Sequence, residues 1–228
     1  MATLLRARAD AHELLDGDRL DPRELAINLR EMAMLNRLPG GVGSSVAWVK
    51  RLLDSGSEPS VVDVGAGSGD FAARLRRESA AASVRLVDIR PEILDIARRN
   101  LAGTDGVTFL HADARALPLP DASVDVAHAS LLLHHLDPAD AVIALREMRR
   151  VARHGVVVND LRRGRLAFAS TAVTVLALAR GSWTRHDGVL SARRAYTLGE
   201  LDALAADAGL SLVARRGAAW PRVTSVYR

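Results

Sequence analysis

The sequence predicts an α/β fold: a mostly parallel seven-stranded sheet with one antiparallel strand, helices on both faces in a three-layer sandwich, and a helical N-terminal cap. Three observations predict it. Short Val-rich runs alternate with segments whose apolar residues recur at helical spacing, the pattern of successive βα units. The first run, residues 61–64, breaks into Gly65, Gly67 and Gly69 before helical spacing resumes at Phe71, a strand, tight turn and helix in the order of a nucleotide-type unit. The last two runs, 211–215 and 222–227, have no helical segment between them, so they pair antiparallel.

Taken in order, residues 1–57 contain no strand-like run and form the expected cap. Asp21-Pro22-Arg23-Glu24 is a helix start, with an N-cap acid and proline at the first position, and Leu38-Pro39-Gly40-Gly41 stops that helix. A second helix is expected over 44–53. Residues 58–228 then form one compact unit without repeat or linker. Its strands are expected at 61–64, 84–89, 107–110, a run ending at Ala129-Ser130, and 156–158, with helices at 71–78, 91–100 and 138–151 between them. Residues 166–179 form an apolar stretch of fourteen, short of the roughly 20 that span a bilayer, so a buried or lid helix and a membrane-surface contact both remain open. A loop is expected around Trp183–Gly188, and Thr197 with Glu200 has the spacing of a capping box that opens the last helix.

Composition sets further bounds. A chain of 228 residues with 49% hydrophobic and 25% charged content is ordinary globular usage. Zero cysteines exclude disulfides, thiolate metal sites and a cysteine nucleophile, and with it methylation at cytosine C5 through a covalent thiolate. The net charge of +4 comes from arginine, Lys50 being the single lysine, and the arginines are interspersed with acids, which describes a solvated surface rather than a nucleic-acid footprint. The first ten residues lack the apolar core of a secretory signal, so a cytoplasmic setting is expected.

The glycine loop narrows the ligand. A dinucleotide site wants G-x-G-x-x-G with a pyrophosphate on the helix N-terminus. Here the third glycine comes one position early, and Asp70 stands where it should be, with Asp63 in the strand before. Two carboxylates repel a pyrophosphate, and no P-loop lysine follows to offset them. S-adenosylmethionine, with an ammonium, a sulfonium and no phosphate, suits them better. Asp63-x-Gly65-x-Gly67-x-Gly69 resembles motif I of the class I S-adenosylmethionine-dependent methyltransferases, which have a Rossmann-like sheet; taken alone, the same loop also lets a helix pack closely on a strand.

The resemblance continues downstream. Asp88 ends the second strand nineteen positions past Gly69, where an acid binds a ribose diol or else caps the helix after Pro91. Asp113, after the third strand, matches the acid that holds the adenine amino group in these enzymes, and residues 121–129 resemble the stretch leading into their fourth strand. The cofactor set the resemblance implies is Asp63, Gly65, Ala66, Gly67, Gly69, Asp88, Ile89, Asp113, Ala114 and Ser130. It also implies that the cap covers the cofactor and one wall of the acceptor site, where Met32 and Met34 either line the wall or pack in the core, and that the product is S-adenosylhomocysteine. Ala129-Ser130 lacks the Asp/Asn-Pro-Pro-aromatic signature of DNA amine methylation. The catechol type wants an acid there and Asp-Asn after strand five; the chain has Asn159-Asp160, in reverse order, so no metal is expected.

The closest likeness is to the small-molecule branch, such as quinone and natural-product tailoring enzymes. The expected reaction is methylation of a hydroxyl on a lipophilic, aromatic or polyketide-like small molecule; RNA or protein methylation, or a non-methylating cofactor binder, are the alternatives. Small residues such as Ala169, Ser170 and Thr171 would leave room for that acceptor. His134, His135 and His186 are the candidate bases, with packing and helix capping as the alternative role of the first two; a positioned base contributes about 10²- to 10⁴-fold. The oligomeric state is not readable.

Overall fold

The computed structural model describes residues 5, 7–17, 19–53, 58–217 and 221–228. The expected boundary at 57/58 falls against residues 54–57, which lie outside the described residues, as do residues 1–4 of the chain start. Strands β1 (Ser60–Val64), β2 (Ser83–Asp88), β3 (Val107–His111), β4 (Val124–Ser130), β5 (Ala152–Leu161), β6 (Leu212–Arg216) and β7 (Arg222–Tyr227) form one sheet in the order β3-β2-β1-β4-β5-β7-β6. Only β7 runs antiparallel, against both β5 and β6. The order reverses between β1 and β4, and the crevice at the carboxyl ends of such a pair is where open α/β sheets bind ligands.

Central parallel strands are buried on both faces, which is why they read as continuous Val runs rather than as alternating ones. Val62 and Val64 face a core completed by α5 (Pro138–Val151) and α8 (Leu198–Asp207), with Leu145, Met148 and Leu204. Val61 faces the other core, built by α2 (Val42–Leu52), α3 (Asp70–Glu78) and α4 (Pro91–Asn100), with Val46, Leu75 and Ala97. Thus α2 packs on the sheet itself. In contrast, α1 (Pro22–Leu35) sits on α4 through Leu25, Leu29 and Ile93, above the carboxyl edge. Its start is capped as the sequence requires, the Asp21 carboxylate accepting from the backbone N–H of Arg23 and Glu24 at 2.9 Å. Thr197 and Glu200 close the capping box of α8.

Two expectations change. The stretch around Trp183–Gly188 is not a loop but part of helix α7 (Ser182–Arg194). Four of its six buried residues, Thr184, Asp187, Ser191 and Arg194 beside Leu190 and Ala192, are polar, which hydrophobic periodicity does not register. Gly188, which reads as a loop signal, instead lets α6 (Arg165–Leu178) approach α7, since a Cβ there would stand 2.9 Å from the Val175 side chain. Strand β5 is longer than its Val run because Asn159 and Asp160, also polar, are buried within it. Helix α6 packs on α7 and leaves Leu166 and Val173 exposed. Among the described residues no helix is long and apolar enough to cross a membrane.

Candidate functional site

A cavity of about 400 Å³ opens at the switch point, floored by the loop after β1 and the ends of β2 and β4. Every residue of the expected cofactor set lines it except Gly69. The loop is tied down from below, because the backbone N–H groups of Gly65 and Ala66 both donate to the Val87 carbonyl, at 2.8 and 3.0 Å. Gly67 has a φ of +54°, and a Cβ there would enter open space, so the backbone itself forms a cradle that a ligand can approach. Gly69 serves packing: at φ +80° it caps α3, and a Cβ would stand 2.7 Å from Leu101.

The carboxylates differ in how far the protein satisfies them. Asp63 is buried and takes a 2.7 Å hydrogen bond from His128 Nδ1 on one oxygen, while Oδ2 has no partner. A buried carboxylate oxygen without a donor is rare, and at a cavity wall it awaits an N–H or a cation. Asp88 accepts from Gly67 N at 3.2 Å and from Arg90 N at 3.0 Å, one bond on each oxygen, so each keeps a lone pair toward the cavity. Burial raises its pKa, with the Asp63 charge adding to the rise and the two backbone bonds opposing it. Asp70 is likewise raised, mainly by burial, although Asn36 donates to it. Asp113 is held at the rim by Arg115, which binds both oxygens and lowers its pKa. Ile89, 55% exposed, presents an apolar surface between Asp88 and Asp113, and Ala114 is buried beside it.

The roof comes from segments far away in sequence. His12, Leu15 and Asp16, with Asn28, Leu29 and Met32 of α1, line the cavity. Met34 is 42% exposed and lies outside it. No residue of α6 lines the cavity, so the room expected from Ala169, Ser170 and Thr171 is instead provided by the N-terminal segment and α1.

The three histidines separate. His135 lines the cavity, with Nδ1 2.8 Å from Asp16 Oδ1; burial lowers its pKa, but the charges of Glu13 and Asp16 outweigh that and raise it overall. His134 is 2% exposed and lies outside the cavity, its ring 4.3 Å from that of His135 and its Nδ1 2.6 Å from Asp160 Oδ1. His186 sits on α7, 55% exposed and bonded to its neighbour Asp187, outside the cavity.

Two features escaped sequence reasoning. Leu131, just past β4, has a φ of +56°, a left-handed backbone that costs a non-glycine residue about 1–2 kcal/mol, and it lines the cavity. Nothing in its side chain signals this. Arg222, at the start of β7, donates to Ser130 Oγ at 3.0 Å and to Asn159 Oδ1 at 2.9 Å, and bonds Asn36, which joins cavity floor and roof. Burial lowers its pKa to about 10 against the attraction of Asp160 and Asp70.

Comparison with known proteins agrees with this geometry. A family model described as a methyltransferase domain matches residues 61–155. A malonyl-[acyl-carrier protein] O-methyltransferase of Methylococcus capsulatus is 32% identical over 164 residues, 72% of this chain and 54% of that protein. A demethylmenaquinone methyltransferase of Thermus thermophilus is 35% identical over 126 residues, 54% of this chain and 56% of that protein. The chain thus spans about half the length of the curated relatives it matches. The crystal structure of an S-adenosylmethionine-dependent methyltransferase from Aquifex aeolicus superposes with a TM-score of 0.64 at 19% identity, covering 92% of this chain and 98% of that one, and shares the fold. With the glycine cradle, the acid-lined cavity at the switch point and the single antiparallel strand in place, residues 61–155 are identified as a methyltransferase domain, in a chain that has the fold of the S-adenosylmethionine-dependent methyltransferases.

Proposed function

We propose that the chain transfers a methyl group from S-adenosylmethionine to a hydroxyl of a small lipophilic acceptor, aromatic or polyketide-like. The observation that carries the reading is the cavity itself: an acid-lined floor for a cationic, phosphate-free cofactor, continuous with a partly apolar roof of Leu15, Leu29 and Met32. When bound, S-adenosylmethionine supplies a methyl carbon already activated by its sulfonium. Asp88 accepts from both ribose hydroxyls, Asp63 Oδ2 receives a donor from the methionyl end, and Asp113 and Ile89 hold the adenine. The rest is alignment, the main contribution a protein makes to such a displacement. Of His134, His135 and His186, only His135 borders the cavity, and the acceptor hydroxyl is seated against its edge.

Incubating the full chain with S-adenosylmethionine and a panel of phenols, quinols and hydroxylated polyketides tests this. The expected outcome is release of S-adenosylhomocysteine with a methyl ether in the product mass spectrum. A carbon-methylated product would move the assignment toward the quinone enzymes, and turnover of RNA or protein alone would overturn it.

The raised pKa of Asp88 carries a pH dependence. Only the ionised carboxylate accepts from both ribose hydroxyls, so cofactor affinity is full above the folded pKa and falls as pH drops through it. That loss sets in at higher pH than the ordinary aspartate value of 3.8 would allow. Titration of S-adenosylhomocysteine binding from neutral to acidic pH, with Asp88→Asn as the variant expected to flatten the profile, checks this.

A further inference from the structure

Beside the cavity, three acceptor groups are turned on one another. Nδ1 of each histidine is already taken by a carboxylate, Asp160 for His134 and Asp16 for His135. That arrangement leaves Nε2 of each ring, the lone-pair nitrogen of the corresponding neutral tautomer, facing away from its aspartate. His134 Nε2 lies 3.8 Å from Glu13 Oε1, and His135 Nε2 lies 3.7 Å from Glu13 Oε2, too long for hydrogen bonds. The ligand-capable atoms of the three residues lie within 4.8 Å of one another, and Glu13 and His134 are buried. A buried carboxylate facing two ring nitrogens is satisfied by a cation, either a proton on a ring or a metal ion shared by all three groups.

We propose that Glu13, His134 and His135 bind a divalent first-row metal ion, zinc by default. Two histidines and one glutamate form a ligand set used in catalytic zinc sites, with a further position left for water or substrate. Ligands about 2.0–2.1 Å from one ion stand roughly 3.4 Å apart at a tetrahedral angle, so the three atoms, within 4.8 Å of one another, draw inward to close the set. The outer contacts that orient such ligands are present. Asp160 accepts the backbone N–H of Leu161 at 2.7 Å, Asp16 is held by Arg194 Nη1 at 3.0 Å and by the backbone N–H of Glu13 at 3.1 Å, and Ser191 Oγ donates to Glu13 Oε1 at 2.8 Å. Glu13, Asp16 and Asp160 bring three carboxylates to the cluster, with the Arg194 guanidinium on Asp16, Arg222 acting on Asp160 and Arg8 on the His134 carbonyl. These residues are distinct from the catechol-type positions Ala129-Ser130 and Asn159-Asp160, whose composition led to the expectation of no metal; Asn159 is engaged by the Gly40 and Gly41 carbonyls. Glu13 is far from the histidines in sequence, so spacing could not unite them.

His135 is the member that borders the cavity, so a ligand from the cavity reaches the ion past its edge. There the metal, acting as a Lewis acid, binds the acceptor's hydroxyl oxygen and lowers its pKa, and the released proton passes to water. This second step rests on the methyl-transfer reading above; binding of the ion does not.

The test is a titration of the full chain, stripped by chelator and desalted, with Co²⁺ at pH 7.5. The expected result is one saturable equivalent with visible ligand-field bands, displaced by Zn²⁺. Glu13→Gln and His135→Asn, checked by circular dichroism for retained fold, weaken Co²⁺ binding at least about a hundredfold, beyond the 10- to 100-fold typical of outer-contact losses. His186→Ala leaves it unchanged. Absence of a saturable Co²⁺ site on the native chain overturns the proposal; so does a site that survives both variants. S-adenosylhomocysteine binding, measured on the same samples, separates the two readings: its absence alongside an intact Co²⁺ site sinks the cofactor assignment and not this one. A shift of the bands on adding a phenolic acceptor supports the second step, and no shift with a phenol that is turned over removes it.

Discussion

Asp88→Ala weakens S-adenosylhomocysteine binding at least about a hundredfold. Hydrogen bonds to a charged group are worth about 1.5–3 kcal/mol each, two ribose hydroxyls are expected on this carboxylate, and 1.4 kcal/mol is tenfold in affinity. The same carboxylate accepts from Gly67 N and Arg90 N, so its removal also loosens the cradle at the point where the backbone approaches the ligand. Isothermal titration of the variant checks the number, and an unchanged affinity would remove Asp88 from the cofactor site. Asp88→Asn should fall between the two, because its amide keeps one acceptor.

Arg222→Met is expected to lower stability by about 2–3 kcal/mol, because Asn159 Oδ1 loses both donors inside the sheet and a buried acceptor without a partner costs about 1–3 kcal/mol. For a chain of this size that corresponds to a fall in melting temperature of roughly 5–10 °C. Cofactor binding should weaken as well, since Arg222 also holds Asn36, which donates to Asp70 in the cavity wall. Thermal unfolding and titration on the same protein distinguish the two effects. An unchanged melting temperature would mean that the arginine does not join β7, β5 and the roof.

The floor of the site was legible because it is local in sequence. One glycine loop and the acids that end successive strands lie where βα connections must bring them, so Gly67 and Asp88 follow from spacing once β1 is placed, and Asp113 from the resemblance to the methyltransferase pattern. The roof was not legible. Asp16 meets His135, and Asn36 meets Arg222, across most of the chain, and neither segment carries a pattern that announces the contact. Helix α7 was hidden for a different reason: four of its six buried residues are Thr, Asp, Ser and Arg, satisfied by hydrogen bonds such as those from Leu14 N and Leu15 N to Asp187. Apolar α6, whose small residues were expected to leave room for the acceptor, packs on α7 and has Leu166, Val173, Leu176 and Leu178 at the surface. Hydrophobic pattern found the sheet and its helices; it could not find contacts made by buried polar groups.

Isothermal titration of the full chain with S-adenosylmethionine and S-adenosylhomocysteine tests the central claim most directly. One saturable site per chain for both ligands, with no heat from NAD or ATP, is the predicted result. No binding of either, or tighter binding of a phosphate-bearing nucleotide, would contradict the reading of Asp63, Asp70 and Asp88 as the floor of a site for a cationic, phosphate-free cofactor.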